Sequence, residues 1–121
     1  MNRRRYKIIL AIVIIAAIVV WRVWFPGREF HRGAWDADFK VRHGVRQKMA
    51  DRLIARHTLQ SKTRVEVVDL LGEPDSSGYF REWDLVYWLG DERGFISIDS
   101  EWLVLRLGFD GRVAEYRLVT D

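Results

Sequence analysis

Thr63-Arg64-Val65-Glu66-Val67-Val68-Asp69-Leu70-Leu71-Gly72-Glu73-Pro74 is the stretch whose reading decides the fold. Thr63-x-x-Glu66 is a capping box, in which two otherwise unpaired helix N-terminal donors are satisfied reciprocally. Val65, Val68 and Leu71, with Val67 and Leu70 alongside, supply an apolar stripe at helical spacing. Gly72 stands where a left-handed C-terminal cap belongs, and Pro74 cannot continue the helix. The spacing predicts a helix over 63–71. Upstream, Val45, Met49, Leu53 and either Ile54 or His57 repeat at helical intervals, predicting another helix over 44–57. Arg46, Lys48, Arg52 and Arg56 lie mostly around its other sides, as a solvated face or a surface for anionic headgroups. The short connection 58–62 makes the two helices a hairpin-like pair.

Downstream of Asp75-Ser76-Ser77-Gly78 the period changes to two. In 81–89, Trp83, Leu85, Tyr87 and Leu89 share one face, and Glu82, Asp84, Val86 and Trp88 share the other. Gly90 to Gly94 reads as a turn. In the next strand, 95–109, Leu103, Leu105, Leu107 and Phe109 oppose Trp102, Val104 and Arg106, with a bulge or break at Asp99-Ser100. Asp110-Gly111 is a strong hairpin signal, and 112–120 alternates again through Ala114, Tyr116 and Leu118. Helices segregated from strands predict an α+β class: two helices packed on one face of a three-stranded antiparallel meander.

The N-terminal side has another character. Ile8 to Trp21 is an unbroken run of 14 apolar residues, followed by Arg22, Val23, Trp24, Phe25 and the helix-stopping Pro26-Gly27. As one helix, 8–25 spans roughly 27 Å, close to the hydrocarbon thickness of a bilayer. Arg22 near one end is placed to snorkel, and Tyr6, Trp21, Trp24 and Phe25 suit interfacial belts. A cleaved signal peptide competes with a retained anchor. Val-Val-Trp-Arg-Val-Trp-Phe-Pro-Gly, which follows the small residues Ala16-Ala17, offers no small-residue cleavage pair, which favours retention. All-round hydrophobicity argues against a buried core helix. Arg3, Arg4, Arg5 and Lys7 flank the run without any acid, against Arg22 on the other side, so the positive-inside rule puts the N-terminus in the cytoplasm. The expectation is a single-pass inner-membrane protein whose C-terminal domain is periplasmic. The organisation expected is therefore 1–27 as basic tail and transmembrane signal anchor, 28–43 as a linker, and 44–121 as the α+β domain.

The net charge of +3 conceals an asymmetry. Residues 1–27 hold five Lys/Arg and no acid, 28–64 hold ten Lys/Arg and four acids, and 65–121 hold five Arg and thirteen acids. The basic balance comes from the leader and the first half, and an acidic second half would repel phosphate backbones, so nucleic acid is not an expected partner. With no cysteine in 121 residues, disulfides, thiolate metal sites and cysteine nucleophiles are excluded, as is lipid attachment through an N-terminal cysteine.

Leu59-Gln60-Ser61-Lys62-Thr63-x-x-Glu66-Val67-x-x-Leu70-Leu71-Gly72-Glu73-Pro74-Asp75, followed by Trp83, Tyr87-x-Leu89-Gly90, and Leu105 through Gly111-Arg112-Val113, resembles the SmpA/OmlA (BamE-like) domain family of bacterial envelope proteins. The resemblance covers about 45–120 and is most specific at the 63–71 helix and its exit. It implies a helix-helix-three-strand fold and a non-enzymatic role in protein–protein contacts at the envelope. Two features depart from the family pattern: the lipoprotein cysteine is missing, and Ser61 stands where glycine is common. The missing cysteine weighs against a direct part in outer-membrane protein assembly.

Motifs for chemistry are sparse. His31, His43 and His57 have no second ligand at a fixed offset, and the last fits a helix C-terminal position favoured by the dipole. The chain contains no nucleophile elbow, P-loop or dinucleotide fingerprint. The acid pairs Glu82/Asp84 and Asp91/Glu92 fall on a solvent face or in a turn. No catalytic, cofactor-binding or metal-ligating residue is expected. The aromatics carry more: with helices on the leucine face, Val86, Trp88, Trp102 and Val104 form an apolar group on the opposite face. Either that group is exposed as a protein-binding patch, or Phe30 and Trp35 of 28–41 fold back over it. The function expected is a membrane-anchored periplasmic interaction module for an envelope protein or peptide. The alternatives are a small-ligand-binding or enzymatic envelope domain and an anionic-lipid-binding structural protein.

Overall fold

Thr63 begins the fourth helix as its sequence requires. In this computed structural model, which describes residues 2–24, 27–41, 44–75, 78–94 and 98–121, both halves of the capping box are closed. Glu66 N donates to Thr63 Oγ1 at 3.3 Å, and Thr63 N donates to Glu66 Oε1 at 3.2 Å. Those bonds from Thr63 hold the Glu66 carboxyl below its ordinary pKa. The described elements in chain order are α1 (Arg3–Trp24), α2 (Arg32–Val41), α3 (Val45–Ala55), α4 (Arg64–Leu71), β1 (Leu85–Asp91), β2 (Ser100–Leu107) and β3 (Val113–Thr120). The strands form one antiparallel sheet in the order β1-β2-β3. The helix pair, the meander and their order agree with the sequence reading. The expected start of the second strand at 95–97 lies outside the described residues.

Register explains the core. Leu85 faces Leu105 and Tyr87 faces Leu103 across β1 and β2, while Leu105 faces Tyr116 and Leu103 faces Leu118 across β2 and β3. These residues point to one side, called here the front, where Met49, Ala50 and Leu53 of α3 and Val67 and Leu71 of α4 close over them. Within α4 the buried face is Val67, Leu70 and Leu71, and Val65 is 69% exposed, so the stripe is rotated from the expected Val65–Val68–Leu71 row. The rotation is imposed from outside the helix. Ser61 N donates to Val113 O and Val113 N donates to Lys62 O, strapping the α3–α4 connection to the start of β3.

The segment expected as a linker supplies a core element. α2 occupies 32–41, and Trp35 is fully buried, its Nε1 donating to Leu71 O at 3.1 Å. Its ring lies 5.8 Å from Phe30 and 6.4 Å from Tyr87, centroid to centroid. Trp35 and Phe39 stand four apart on this helix, but Pro26, Gly27 and Gly33 around its start read as a linker. Arg46, expected on a solvated face, is 7% exposed. Its Nε donates to Trp35 O at 2.7 Å, its Nη1 to Trp88 O at 2.9 Å, and its backbone N to Asp38 Oδ2 at 3.0 Å. Burial lowers its pKa, while Asp75, Asp36 and Asp38 oppose the shift.

The transmembrane anchor is corrected. Among the described residues, no helix is long and apolar enough to cross a membrane. The uninterrupted apolar run, Ile8 to Trp21, is about 21 Å long as a helix, against about 30 Å of bilayer hydrocarbon. Lys7 bounds it on one side and Arg22 on the other, so the charges Arg3, Arg4, Arg5, Lys7 and Arg22 do not frame a span. The Arg22 and Trp24 side chains, and Phe25 and Pro26 altogether, lie outside the described residues. With the span go the signal-anchor reading and the placement of the chain in the inner membrane with a cytoplasmic N-terminus and a periplasmic domain. α1 is nonetheless exposed on every side: Ile8, Ile12, Ile15, Val13, Val20, Ile18 and Trp21 are each more than half accessible.

Replacing Arg46 by methionine keeps its bulk but removes the guanidinium hydrogen bonds to the Trp35 and Trp88 carbonyls. We expect a loss of about 3 kcal/mol in urea unfolding. Thr63→Ala opens the capping box and is expected to cost about 1 kcal/mol in the same measurement.

Candidate protein-binding face

The back of the sheet, opposite the helices, carries its own apolar cluster. The alternation that sends Leu103 and Leu105 to the front sends Trp102 and Val104 to the back, and Val86 and Trp88 follow from β1. These four are the residues expected to form an exposed patch or to be covered by 28–41. Neither arrangement is found. Val86, Trp102 and Val104 are 8%, 7% and 0% exposed, and Trp88 is partly buried. Phe30 and Trp35 pack into the front core. The cover over the back face comes from the connection ahead of β1, through Phe80 and Trp83.

That cover is fastened at several points. Asp75 N donates to Val86 O at 2.8 Å, and Asp75 Oδ2 accepts from Trp88 N at 2.6 Å. Asp84 Oδ2 accepts from Leu107 N at 2.7 Å. Phe80 holds a positive φ of 57°, and its carbonyl accepts from Trp83 N at 3.0 Å. The Trp102 ring lies 6.1 Å from Tyr79 and 6.0 Å from Phe80, so the two aromatics ahead of the strand lean on it. Its Nε1 donates to Asp121 Oδ2 at 2.9 Å, and Ser100 N donates to Asp121 Oδ1 at 3.1 Å. These bonds, the indole's first, lower the Asp121 pKa below the ordinary carboxylate value.

Trp83 makes the other half of the face. The Arg106 guanidinium carbon lies 4.2 Å from its ring centroid and that of Arg117 lies 5.8 Å away. Glu115 is ion-paired to both, at 2.8 Å to Arg106 and 2.6 Å to Arg117. Tyr79 is 58% exposed and the Arg117 side chain 63% exposed. The accessible surface is therefore an aromatic lid edged by two arginines, laid over Val86, Trp102 and Val104, three of the four residues singled out from sequence, with Trp88 packed beside them. Sequence reasoning missed Tyr79 and Phe80, and put Trp83 on the leucine face. The strand begins only at Leu85, so its alternation does not reach back to Trp83.

The remaining candidates are placed elsewhere. Among the described residues, no group of three His, Cys, Asp or Glu is placed to hold a metal ion. His57 Nδ1 lies 2.7 Å from Tyr116 Oη, and His43 lies outside the described residues. Glu82 and Asp84 are exposed, and Asp84 is engaged by Leu107 N. Beyond Asp91, Arg93 links Asp51 at 2.6 Å and Glu101 at 2.9 Å, bonds that raise the Arg93 pKa, Asp51 contributing most. A hollow of about 190 Å³ lined by Glu29, Phe30, Arg52, Leu53, Arg56, Thr58 and Leu70 is smaller than a usual small-molecule site.

No family model, no curated protein and no solved structure matches this chain.

The Asp121 tether has a defined pH dependence. Its folded pKa lies below its unfolded one, so the stabilisation is complete above the ordinary carboxylate range and is lost as pH falls through the lowered value. The Trp102 indole N–H resonance is expected to move upfield over that acid window, and in Asp121→Ala to lie upfield at every pH.

Proposed function

We propose that this chain is a non-enzymatic binding module of BamE-like type, which grips a protein or peptide partner with the back of its sheet. One observation carries the reading: an exposed Tyr79 against Trp102, and Trp83 with Arg106 and Arg117 against its ring, all on the sheet face that the helices leave uncovered. Tyrosine, tryptophan and arginine are the side chains that dominate binding energy at protein interfaces, because each buries a large apolar area around a few directional bonds. The lid is fixed by Asp75 and Asp84 bonds to the sheet, so its side chains are held in place before a partner arrives. The order α3, α4, β1, β2, β3 fits the helix-helix-three-strand pattern that the SmpA/OmlA resemblance implies, and that family's role in protein–protein contacts supports the same reading.

A photo-crosslinking residue placed at Tyr79 of the full chain tests this in the native cell. The expected result is one discrete adduct with a single protein, absent when the same residue stands at Val65, which is exposed on α4. Tyr79→Ala is expected to weaken capture of that protein at least about tenfold, with an unfolding temperature lowered by only a few degrees through the lost contact with Trp102. Equal labelling from both positions, or none from Tyr79, would remove the proposal.

A further inference from the structure

The two edges of the sheet are not alike. On β1 three outward backbone groups are taken: Val86 O by Asp75 N, Trp88 N by Asp75 Oδ2, and Trp88 O by Arg46. On β3 the outward groups of Val113 are taken by Ser61 and Lys62. Beyond that strap the direction of each residue follows from the ladder. Asp121 N donates to Ser100 O, and in an antiparallel pair the residues facing the neighbour alternate. Arg117 and Val119 therefore bond toward β2, and the N–H and C=O groups of Tyr116, Leu118 and Thr120 point away from the sheet. No hydrogen bond engages those groups among the described residues.

The side chains along this edge define what fits. Tyr116 and Leu118 are partly buried against the front core, so a further strand would extend that layer with apolar side chains. On the back, Arg106 and Arg117 share the one carboxylate of Glu115, a local excess of positive charge around Arg117, while the Asp121 carboxylate further along is turned to Trp102 and Ser100. A second copy is a poor occupant. Two-fold registers that keep each side chain on its own face set Arg117 against Arg117 when centred on Arg117, and Glu115 against Asp121 when centred on Leu118; one centred on Val119 sets Arg117 against Asp121 but joins only 117–121, with two outward-bonding residues from each copy. A register centred on Tyr116 runs the copy into the Ser61–Lys62 strap.

The geometry points to the free edge of β3 as a strand-addition site for an extended segment of a partner protein, with apolar side chains beside Tyr116 and Leu118 and a carboxylate opposite Arg117. This rests on the binding-module reading and names a contact distinct from the aromatic lid. The lid would grip the folded part of the partner, and the edge its extended segment.

Backbone amide NMR of the nitrogen-labelled full chain, titrated with acetyl-Ser-Thr-Val-Glu-Val-Thr-Ser-amide, tests it. The amide protons of Tyr116, Leu118 and Thr120 are expected to shift and to exchange more slowly, while those of Arg117 and Val119 exchange as before. Arg117→Glu is expected to weaken the peptide about fivefold and to favour the analogue with lysine in place of glutamate. Thr120→Pro deletes one outward N–H without touching the ladder to β2, and is expected to weaken both peptides. Absence of binding, shifts centred on Tyr79 and Trp83, unchanged affinity in both variants, or protection of the same amides by dimerisation without peptide would each overturn the inference. A retained Tyr79 adduct alongside any of these would leave the binding-module reading standing.

Discussion

The buried guanidinium of Arg46 joins parts of the chain that no apolar contact alone would align. From α3 it reaches the Trp35 carbonyl on α2 and the Trp88 carbonyl on the β1 edge, while its own backbone N–H is received by the buried Asp38. A charge in that position is stable only because its donors meet fixed acceptors and Asp75, Asp36 and Asp38 lie near it. The arrangement specifies geometry more than it adds stability. It sets the height of α2 and α3 over the sheet, and it closes one sheet edge with a side chain. The core leucines fill the space that this frame leaves.

Closing β1 has consequences on both faces. Asp75 completes the β1 edge and in doing so brings the connection ahead of β1 around to the back of the sheet. Phe80 and Trp83 then lie over Val86, Trp102 and Val104, which a three-stranded sheet with helices on one side would otherwise leave in water. The back face thus has a lid of its own aromatics, and its accessible groups are Tyr79 and the arginines around Trp83. The β3 edge, strapped only at its beginning, stays open along Tyr116, Leu118 and Thr120. A closed edge, a lidded face and an open edge make a domain with a direction.

Much of the fold was legible in local pattern. The Thr63–Glu66 box, Gly72, the period-two runs and Asp110-Gly111 each have a local physical cause, and α4, the three strands and the last hairpin formed where those causes lie. α2 is obscured in the sequence, although Trp35 and Phe39 stand at helical spacing, because Pro26, Gly27 and Gly33 around its start give the segment the composition of a linker. The burial of Arg46 is not legible in sequence because its partners are backbone carbonyls distant along the chain, and carbonyls carry no residue identity. The candidate face was half legible. Alternation put Val86, Trp88, Trp102 and Val104 together, but their cover sits in an irregular stretch where no period applies. The apolar N-terminal segment resembles a membrane span only when residues are joined across Arg22, and the uninterrupted run is too short for one.

By itself the sequence determined α3, α4 and the three strands, and which residues within each strand share a face, because capping, turn geometry and side-chain period act over a few residues. Only the tertiary structure decided what lies against each face. Trp35 went to the front and Phe80 and Trp83 to the back; one sheet edge was closed by Asp75 and Arg46 and the other left open. Those outcomes depend on where backbone donors and acceptors far apart in the chain come to rest, and burial obliges each of them to find a partner.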